Sequence, residues 1–342
     1  MAEELAMMPK EAGFWMPPEW SPHAATLMSW PFNADLWQGH LDDAKREYAG
    51  VANAIADFEP VIMVCDPGSE GEVRGLCGSN VEPLGLPIDD SWMRDNGPTF
   101  VRNDEGKVAV VKFRFNAWGE RFEAYDNDDA VPYRIAEHLG MKVFTAPFVL
   151  EGGSFLVDGE GTVLTTEMCL LNPNRNPAMT KEQIEQGLRD YLGVETVAWL
   201  PYGASADVGP VATDGHVDGV AQYVSPGRVL LLAPANPEDA DHAWGQENLA
   251  RLQGSRDAKG REFDVVRLDV GLGDSLYYAN CYVANGVVIV PTAGNADDAE
   301  AIEQISKVFP DREVVGTPAV TVGFGGGGPH CITQQIPVGD PA

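Results

Sequence analysis

This sequence predicts an α/β fold in which about five similar units repeat in a circular array. Three observations carry that expectation. Turn clusters rich in Asp, Gly, Asn and His recur at a nearly constant spacing: Trp30, Trp92, Gly153, His216 and Asn280 lie 62, 61, 63 and 64 positions apart, and Cys331 follows after 51. About five helical segments fall between those clusters. Short apolar runs with strand character accompany each helix.

The elements follow in chain order. Helices are expected over 42–58, 130–140, 180–193, 237–252 and 296–309. The third has the clearest ends: Thr180 is placed to cap it, Gln183 follows three residues later, Ile184, Leu188 and Leu192 share a face, and Gly193 stops it. Asn295 is the expected cap of the last helix, with Asp297, Asp298 and Glu300 in its first turn. Strands are expected over 61–64, 108–115, 163–166, 229–232 and 287–290, the last joined to 282–284 by a tight Asn285-Gly286 hairpin turn. The clusters at strand ends are 28–31, 91–98, 151–154, 214–218, 278–280 and 328–331. If the units close around an axis, these clusters converge on it. No linker or low-complexity stretch interrupts residues 1–342, which are expected to form one domain.

Composition excludes several classes. The 342 residues are 44% hydrophobic, ample for a packed core. With 23 basic and 52 acidic residues the net charge is −29, which argues against nucleic acid and anionic membranes as partners. The same charge serves solubility and attracts a small cationic substrate. Five scattered cysteines show neither a Cys-x-x-Cys pair nor zinc spacing, and their odd number leaves at least one thiol free. A reducing, cytoplasmic location is expected. Residues 1–14 are acidic and lack an apolar signal core, and no run of about 18 apolar residues occurs.

Four clusters carry chemistry. Cys331 follows four consecutive glycines, Gly325 to Gly328, and Pro329-His330. Glycine lets backbone approach a ligand closely, so Gly328 is a candidate substrate contact and Cys331 an unshielded thiol. The run is no phosphate loop, since no Lys-Ser or Lys-Thr follows. Cys65, Cys77, Cys169 and Cys281 read instead as buried hydrophobes. In Asp214-Gly215-His216-Val217-Asp218, His216 can shuttle a proton and Asp218 can hold a cation; on a strand both would share one face. His-x-Asp also occurs as a metal-ligand pair, and a structural role competes too. In Asp89-Asp90-Ser91-Trp92-Met93-Arg94-Asp95, Asp95 is the carboxylate aimed at substrate, Trp92 a π-face wall, and Arg94 the internal partner of one acid. The competing reading is an acidic surface turn with Trp92 in the core. Glu151, before Gly152-Gly153-Ser154, is placed at a strand end, where it can orient His216 or simply cap a turn.

One Cys, one His and three carboxylates suit a guanidinium substrate, whose planar cation donates in pairs to carboxylates. Two aspartates can grip its nitrogens while the thiolate attacks its carbon. His216 would protonate departing ammonia and then activate water, leaving a ureido product, with no cofactor and no metal. Amidino transfer to an amine, non-catalytic guanidine binding and metal-dependent hydrolysis are the alternatives. A homo-oligomer, a dimer in the first place, is compatible with the sequence.

The motifs resemble the agmatine deiminase family, a peptidylarginine-deiminase-like bacterial branch of the guanidine-modifying enzymes. The resemblance runs through Met16-Pro17-Pro18-Glu19-Trp20, His23-Ala24-Ala25-Thr26, Trp92-Met93-Arg94-Asp95-Asn96-Gly97-Pro98-Thr99 and Phe115-Asn116-Ala117-Trp118-Gly119. It continues in Glu151-Gly152-Gly153-Ser154, Leu170 to Pro177, Gly215-His216-Val217-Asp218 and His330 to Gln335. It implies a five-bladed α/β propeller (the pentein fold) around a central channel. It also implies Cys331 as nucleophile, His216 as general acid and base, Asp95 and Asp218 as guanidinium ligands, Glu151 as support and Trp92 as pocket wall. Two departures bear on the substrate. Family members usually read Asp-Glu-Asp-Thr-Asn-Gly-His before the histidine, where this chain has Val211-Ala212-Thr213-Asp214-Gly215-His216. An apolar wall offers a distal ammonium no partner; the expected substrate is a small agmatine-like guanidine, with a guanidine other than agmatine as the alternative. The stretch between Asp218 and Tyr278 is also shorter than usual, which would open the pocket rim.

Overall fold

A computed structural model describes residues 7–209, 211–270 and 277–342. The expectations for the N-terminal segment and for the stretch before Tyr278 fall partly on residues 1–6 and 271–276, outside the described residues.

Among the described residues the strands form five sheets, and one pattern builds all five. A strand pairs antiparallel with a second, the chain crosses over a helix, and a third strand returns parallel to the second. Parallel neighbours need such a crossover, because a two-residue turn can only reverse the chain. The pattern first appears complete in Thr99–Asn103, Lys107–Arg114, the helix Asp126–Leu139 and Val143–Val149. It repeats in Phe155–Val157, Thr162–Thr166, Lys181–Leu192 and Thr196–Leu200. Ala221–Ser225, Arg228–Leu232, His242–Gln253 and Asp264–Leu268 follow. Then come Tyr282–Ala284, Val287–Thr292, Asp297–Val308 and Glu313–Pro318. The remaining sheet is assembled from both ends of the sequence. His23–Ser29, the helix Leu41–Ala56 and Val61–Cys65 supply its second and third strands, and Thr333–Pro337 supplies the first, with Gln335 opposite Thr26.

The five crossover helices are the five the sequence predicts. Each buries one face in a separate apolar cluster: Tyr48 and Ile55 in one, Ile135, Leu188, Leu252 and Ile305 in the others. The Thr180 box forms as expected, with the Thr180 hydroxyl accepting from Gln183 N (3.3 Å) and Gln183 Oε1 accepting from Thr180 N (2.8 Å), and Gly193 closes that helix at φ 70°. The Asn285-Gly286 turn is also present, with Gly286 alone taking a positive φ, 73°.

Two boundaries shift for local reasons. The helix expected from 237 starts at His242, because Asn236 and Asp239 side chains accept backbone N–H groups two residues on and hold 236–241 as turns. The helix expected from 130 starts at Asp126, where three aspartates occupy the first turn and suit the helix dipole. Asn295 accepts from Asp297 N and Asp298 N, one position outside the assigned cap Ala296.

The repeat needs one correction. Trp30 follows a middle strand, whereas the other clusters precede the first strand of a sheet. Its match to the repeat spacing is coincidental. Cys331, two residues before Thr333–Pro337, holds the equivalent place in that unit.

Candidate active site

Each sheet's first strand is entered through a short turn, and those turns carry the candidate site residues. Asp95 lies in the helical turn Met93–Asn96 before Thr99–Asn103, and Glu151 opens the turn Gly152–Ser154 before Phe155–Val157. His216 and Asp218 flank the start of Val217–Gly219 before Ala221–Ser225, Asn280 precedes Tyr282–Ala284, and Cys331 precedes Thr333–Pro337. Equivalent places in a repeated pattern explain why stretches some 60 residues apart meet.

Gly153 marks the meeting point. A Cβ there would stand 2.6 Å from His216 Nδ1, 2.8 Å from Asp95 Oδ1 and 2.9 Å from Asp218 Oδ2, so only glycine fits. His216 and Asp218 therefore do face one point, although the strand expected for them is a tight helical turn. Gly153 N–H donates to Asp95 Oδ1 (2.9 Å) and Trp118 Nε1 donates to Asp95 Oδ2 (2.9 Å). Asp95 Oδ1 lies 3.7 Å from His216 Nδ1, and Asp218 Oδ2 lies 3.5 Å from the Cys331 sulfur.

A cavity of about 190 Å³ opens beside this point, lined by Cys331, Asp95, Trp92, Trp118 and Trp37. Trp37 stacks on Trp92 at 6.0 Å. Gly325 and Gly326 line the cavity, while Gly328 packs against Asn280, which a Cβ at 328 would strike at 2.7 Å. The cavity's edge carries Val211, 67% exposed, and Phe324. Trp118 is presented by a left-handed turn, with positive φ at Ala117, Trp118, Gly119 and Glu120. For residues other than glycine this conformation costs roughly 1–2 kcal/mol each and persists only where the surroundings impose it.

Two buried charge chains stand behind the site. In one, Arg175 Nε donates to Glu151 (2.5 Å), its Nη1 to Asp214 (2.7 Å) and its Nη2 to the carbonyl of Thr213 (2.7 Å). Arg121 and Asn174 also bind Asp214, which is held at φ 64° just before His216. In the other, His330 Nδ1 lies 2.8 Å from Asp218 Oδ2 and His330 Nε2 lies 2.8 Å from Glu19 Oε2. Arg94 belongs to this second chain, 3.5 Å from Glu19 and donating to Gln335 (2.9 Å). It is not the partner of the acids beside it in sequence. Asp90 accepts from Ser91 N and Trp92 Nε1, and Asp128 accepts from the amides of Asp89 and Asp90. Burial pushes Asp90 up to about 6 and Asp128 up to about 8, so at neutral pH Asp128 holds a proton in place of a counter-ion, while Asp90 relies on its N–H donors.

Residues 15–337 match the family described as Porphyromonas-type peptidyl-arginine deiminase. The chain belongs to this family. A Legionella pneumophila protein named "putative agmatine deiminase" is 43% identical over 339 residues, 96% of each chain. The structure of the Enterococcus faecalis agmatine deiminase superimposes with a TM-score of 0.92 at 37% identity, covering 98% of both chains. A cysteine-to-serine form of the C. jejuni agmatine deiminase with substrate bound gives 0.85 at 27% identity, covering 96% of this chain and 97% of that one. The fold is thus the α/β fold of these family structures.

The electrostatics of this family member follow from burial and neighbours. Burial opposes charge on His216, but Asp95, Cys169 and Glu151 outweigh it and hold the imidazole well above its usual pKa. Burial pushes the Cys331 thiol well up, and the charges of Asp218 and Asp95 push the same way. Burial also raises Asp95, against the pull of His216. Asp218 is buried yet lowered, because His330 bonds to it and carries positive charge. Both ring nitrogens of His216 and Glu151 Oε2 are buried without a hydrogen-bond partner, so Glu151 acts on His216 through charge and not through a bond.

Glu151, Cys169 and His216 bring ligand atoms within 4.8 Å of one another, the one such group among the described residues. Arg175 already neutralises Glu151 there, and a metal cation would face that guanidinium. The donor set fits proton exchange better than coordination. Sequence reasoning gives no chemical role to five residues of this site, Trp118, Cys169, Arg175, Asn280 and His330, although it sets Asn280 and His330 in the converging clusters and Trp118 and Arg175 in the family motifs. For Arg175 a signal exists, since a lone cation between asparagines and prolines in so acidic a chain is conspicuous. Cys169 is buried, as expected of a core hydrophobe, but its thiol adjoins His216.

Proposed function

We propose that this protein is a cofactor-free guanidine deiminase that releases ammonia and leaves a ureido product. The observation that carries it is the meeting of Cys331, His216, Asp95 and Asp218 around one point beside a Trp-lined cavity. Asp95 and Asp218 grip the guanidinium through paired N–H···O bonds and expose its carbon. Cys331 attacks as thiolate and forms the C–S bond of a tetrahedral adduct; His216 gives its proton to the leaving nitrogen, the C–N bond breaks, and ammonia departs to leave a thiouronium. His216, now neutral, takes a proton from water; the hydroxide adds to the same carbon, and the C–S bond breaks to free the ureido product and the thiol. Glu151 supports the imidazolium, and Trp92 walls the planar cation. The thiol's raised pKa and the pocket's carboxylates give the arriving substrate a second role, because its positive charge favours ionisation of Cys331.

The relatives' names make agmatine the first candidate substrate. A second reading, a guanidine with an apolar tail, is favoured by Val211, Phe324 and Trp37 in the cavity wall, although Asp35 and Asp90 line the same cavity and can receive a distal ammonium. The five sheets, each with its helix crossover and entry turn, support closure as a five-bladed propeller in one domain over 1–342, and the free cysteines suit a cytoplasmic location. Among the described residues no helix is long and apolar enough to cross a membrane.

The test is a panel of agmatine and alkylguanidines assayed for ammonia, with products weighed for replacement of NH by O. Ammonia is expected from at least one member, and Cys331→Ala should lower that rate about 10⁴-fold or more while the cooperative melt persists. No ammonia from any guanidine, or an undiminished rate in C331A, defeats the reading. A new guanidine formed only with added amine would mark amidino transfer.

A further inference from the structure

Of the five entry turns, four supply groups to the proposed reaction, and the fifth supplies Asn280, to which that reaction assigns no part. Asn280 is 2% exposed and sits against the nucleophile. Its Oδ1 accepts from His330 N (3.1 Å) and, more weakly, from Cys331 N (3.4 Å). Those two backbone donors fix which end of the amide is oxygen. The NH₂ end then faces the Cys331 sulfur at 3.1 Å, closer than Oδ1 at 3.4 Å, with the Asp218 carbonyl at 3.3 Å. An amide nitrogen can only donate, and a thiolate can only accept.

We propose that Asn280 is a positioning residue for Cys331: its side-chain N–H holds the sulfur and favours its thiolate form. This rests on Cys331 being the nucleophile. The surrounding charges make such a donor necessary. Asp218 from its entry turn and Asp95 from the Met93–Asn96 turn both act against a negative sulfur. Tyr48, on the helix Leu41–Ala56, and Tyr277 also couple to it, and burial keeps both phenols neutral. His330 is adjacent in sequence, but its ring is committed to Asp218 and Glu19. The groups that act directly on the sulfur in favour of the thiolate are dipoles, the Asn280 N–H and the backbone N–H of Gly328, while the His216 imidazolium faces the same point from its own turn. Gly328 is glycine because a Cβ would collide with Asn280, so the glycine run also lets the amide reach the sulfur.

The test needs no substrate. Alkylation of Cys331 by iodoacetamide is followed against pH, resolved by mass spectrometry of the peptide, in the wild type and in Asn280→Ala and Asn280→Asp. Asn280→Ala loses the donor without adding charge and decides the proposal. Asn280→Asp keeps the shape but adds a carboxylate, whose charge raises the midpoint further and calibrates the probe. The labelling midpoint is expected to rise by about one pH unit or more in either folded variant, roughly tenfold slower labelling at a fixed pH below it. A profile superimposable on the wild type in a variant with a native melt overturns the proposal. Absence of pH-dependent labelling of Cys331 in the wild type would instead sink the nucleophile assignment.

Discussion

The two charge chains behind the site solve the same problem with different cations. Each holds a carboxylate–cation–carboxylate series in the interior: Glu151–Arg175–Asp214 behind His216, and Asp218–His330–Glu19 behind Cys331. Arg175 is permanently charged and makes bonds in a fixed fork, so its chain is insensitive to alkali. His330 bridges its two acids end to end, and its charge is conditional. Burial and Arg94 oppose that charge, while Glu19 and Asp218 restore it and leave the pKa raised. One side of the pocket thus has a fixed frame and the other a frame that titrates.

Replacing Arg175 should break the comparison most severely. Arg175→Met leaves Glu151 and Asp214 buried with less countercharge, and a loss of about 4–5 kcal/mol in urea unfolding is expected. Arg175→Lys should restore little of it, because an ammonium cannot reach Glu151, Asp214 and the Thr213 carbonyl together. A lysine variant as stable as wild type would show that only charge matters there.

The His330 chain should give a smaller and pH-dependent effect. His330→Gln is expected to cost about 2–3 kcal/mol near pH 6. A His with raised pKa stabilises the fold fully below its unfolded pKa and loses that contribution as pH rises through the folded value. Glu19 and Asp218, both lowered, contribute above the ordinary carboxylate range and lose it as pH falls through their folded values. The gap between wild type and H330Q should therefore narrow toward alkaline pH, while that between wild type and R175M should not narrow, because its stripped carboxyls cost most when ionised. Gaps that run parallel from pH 6 to pH 10 would mean that His330 does not carry charge.

The mildest probe is Asn174→Ala, which removes one of several donors to Asp214 (2.9 Å) and leaves Arg175 and Arg121 in place. About 1 kcal/mol is expected in the same unfolding assay. A much larger loss would shift weight from the cation to the amide that packs over Gly119.

What the sequence makes legible is local or periodic. The helix over 180–193 can be read because Thr180, Gln183 and Gly193 act within one turn of its ends. The entry turns can be read because they recur. The charge chains cannot, since their members are far apart in sequence: His330 meets Glu19 across 311 positions, and Arg175 meets Asp214 across 39. Arg94 shows the same limit in reverse, for adjacency to Asp95 in the chain points to the wrong partner. Trp30 misleads because it keeps the period while standing at the wrong end of its strand. His216 and Asp218 stand out correctly for their chemistry, although the strand geometry expected to pair them is absent.

The pairing of Thr333–Pro337 with His23–Ser29 carries a consequence for how the molecule comes into being. On the ribosome the earlier strands emerge with their own crossover helices, so most sheets can form while synthesis continues. The sheet begun first must wait for a partner made some 300 residues later, and closing so long a loop is slow even though its entropic cost grows only logarithmically with length. Cys331 arrives with that same partner. A nascent or misthreaded chain therefore holds its carboxylates and imidazole without the sulfur, and the proposed reactivity appears only after two strands some 300 positions apart have paired.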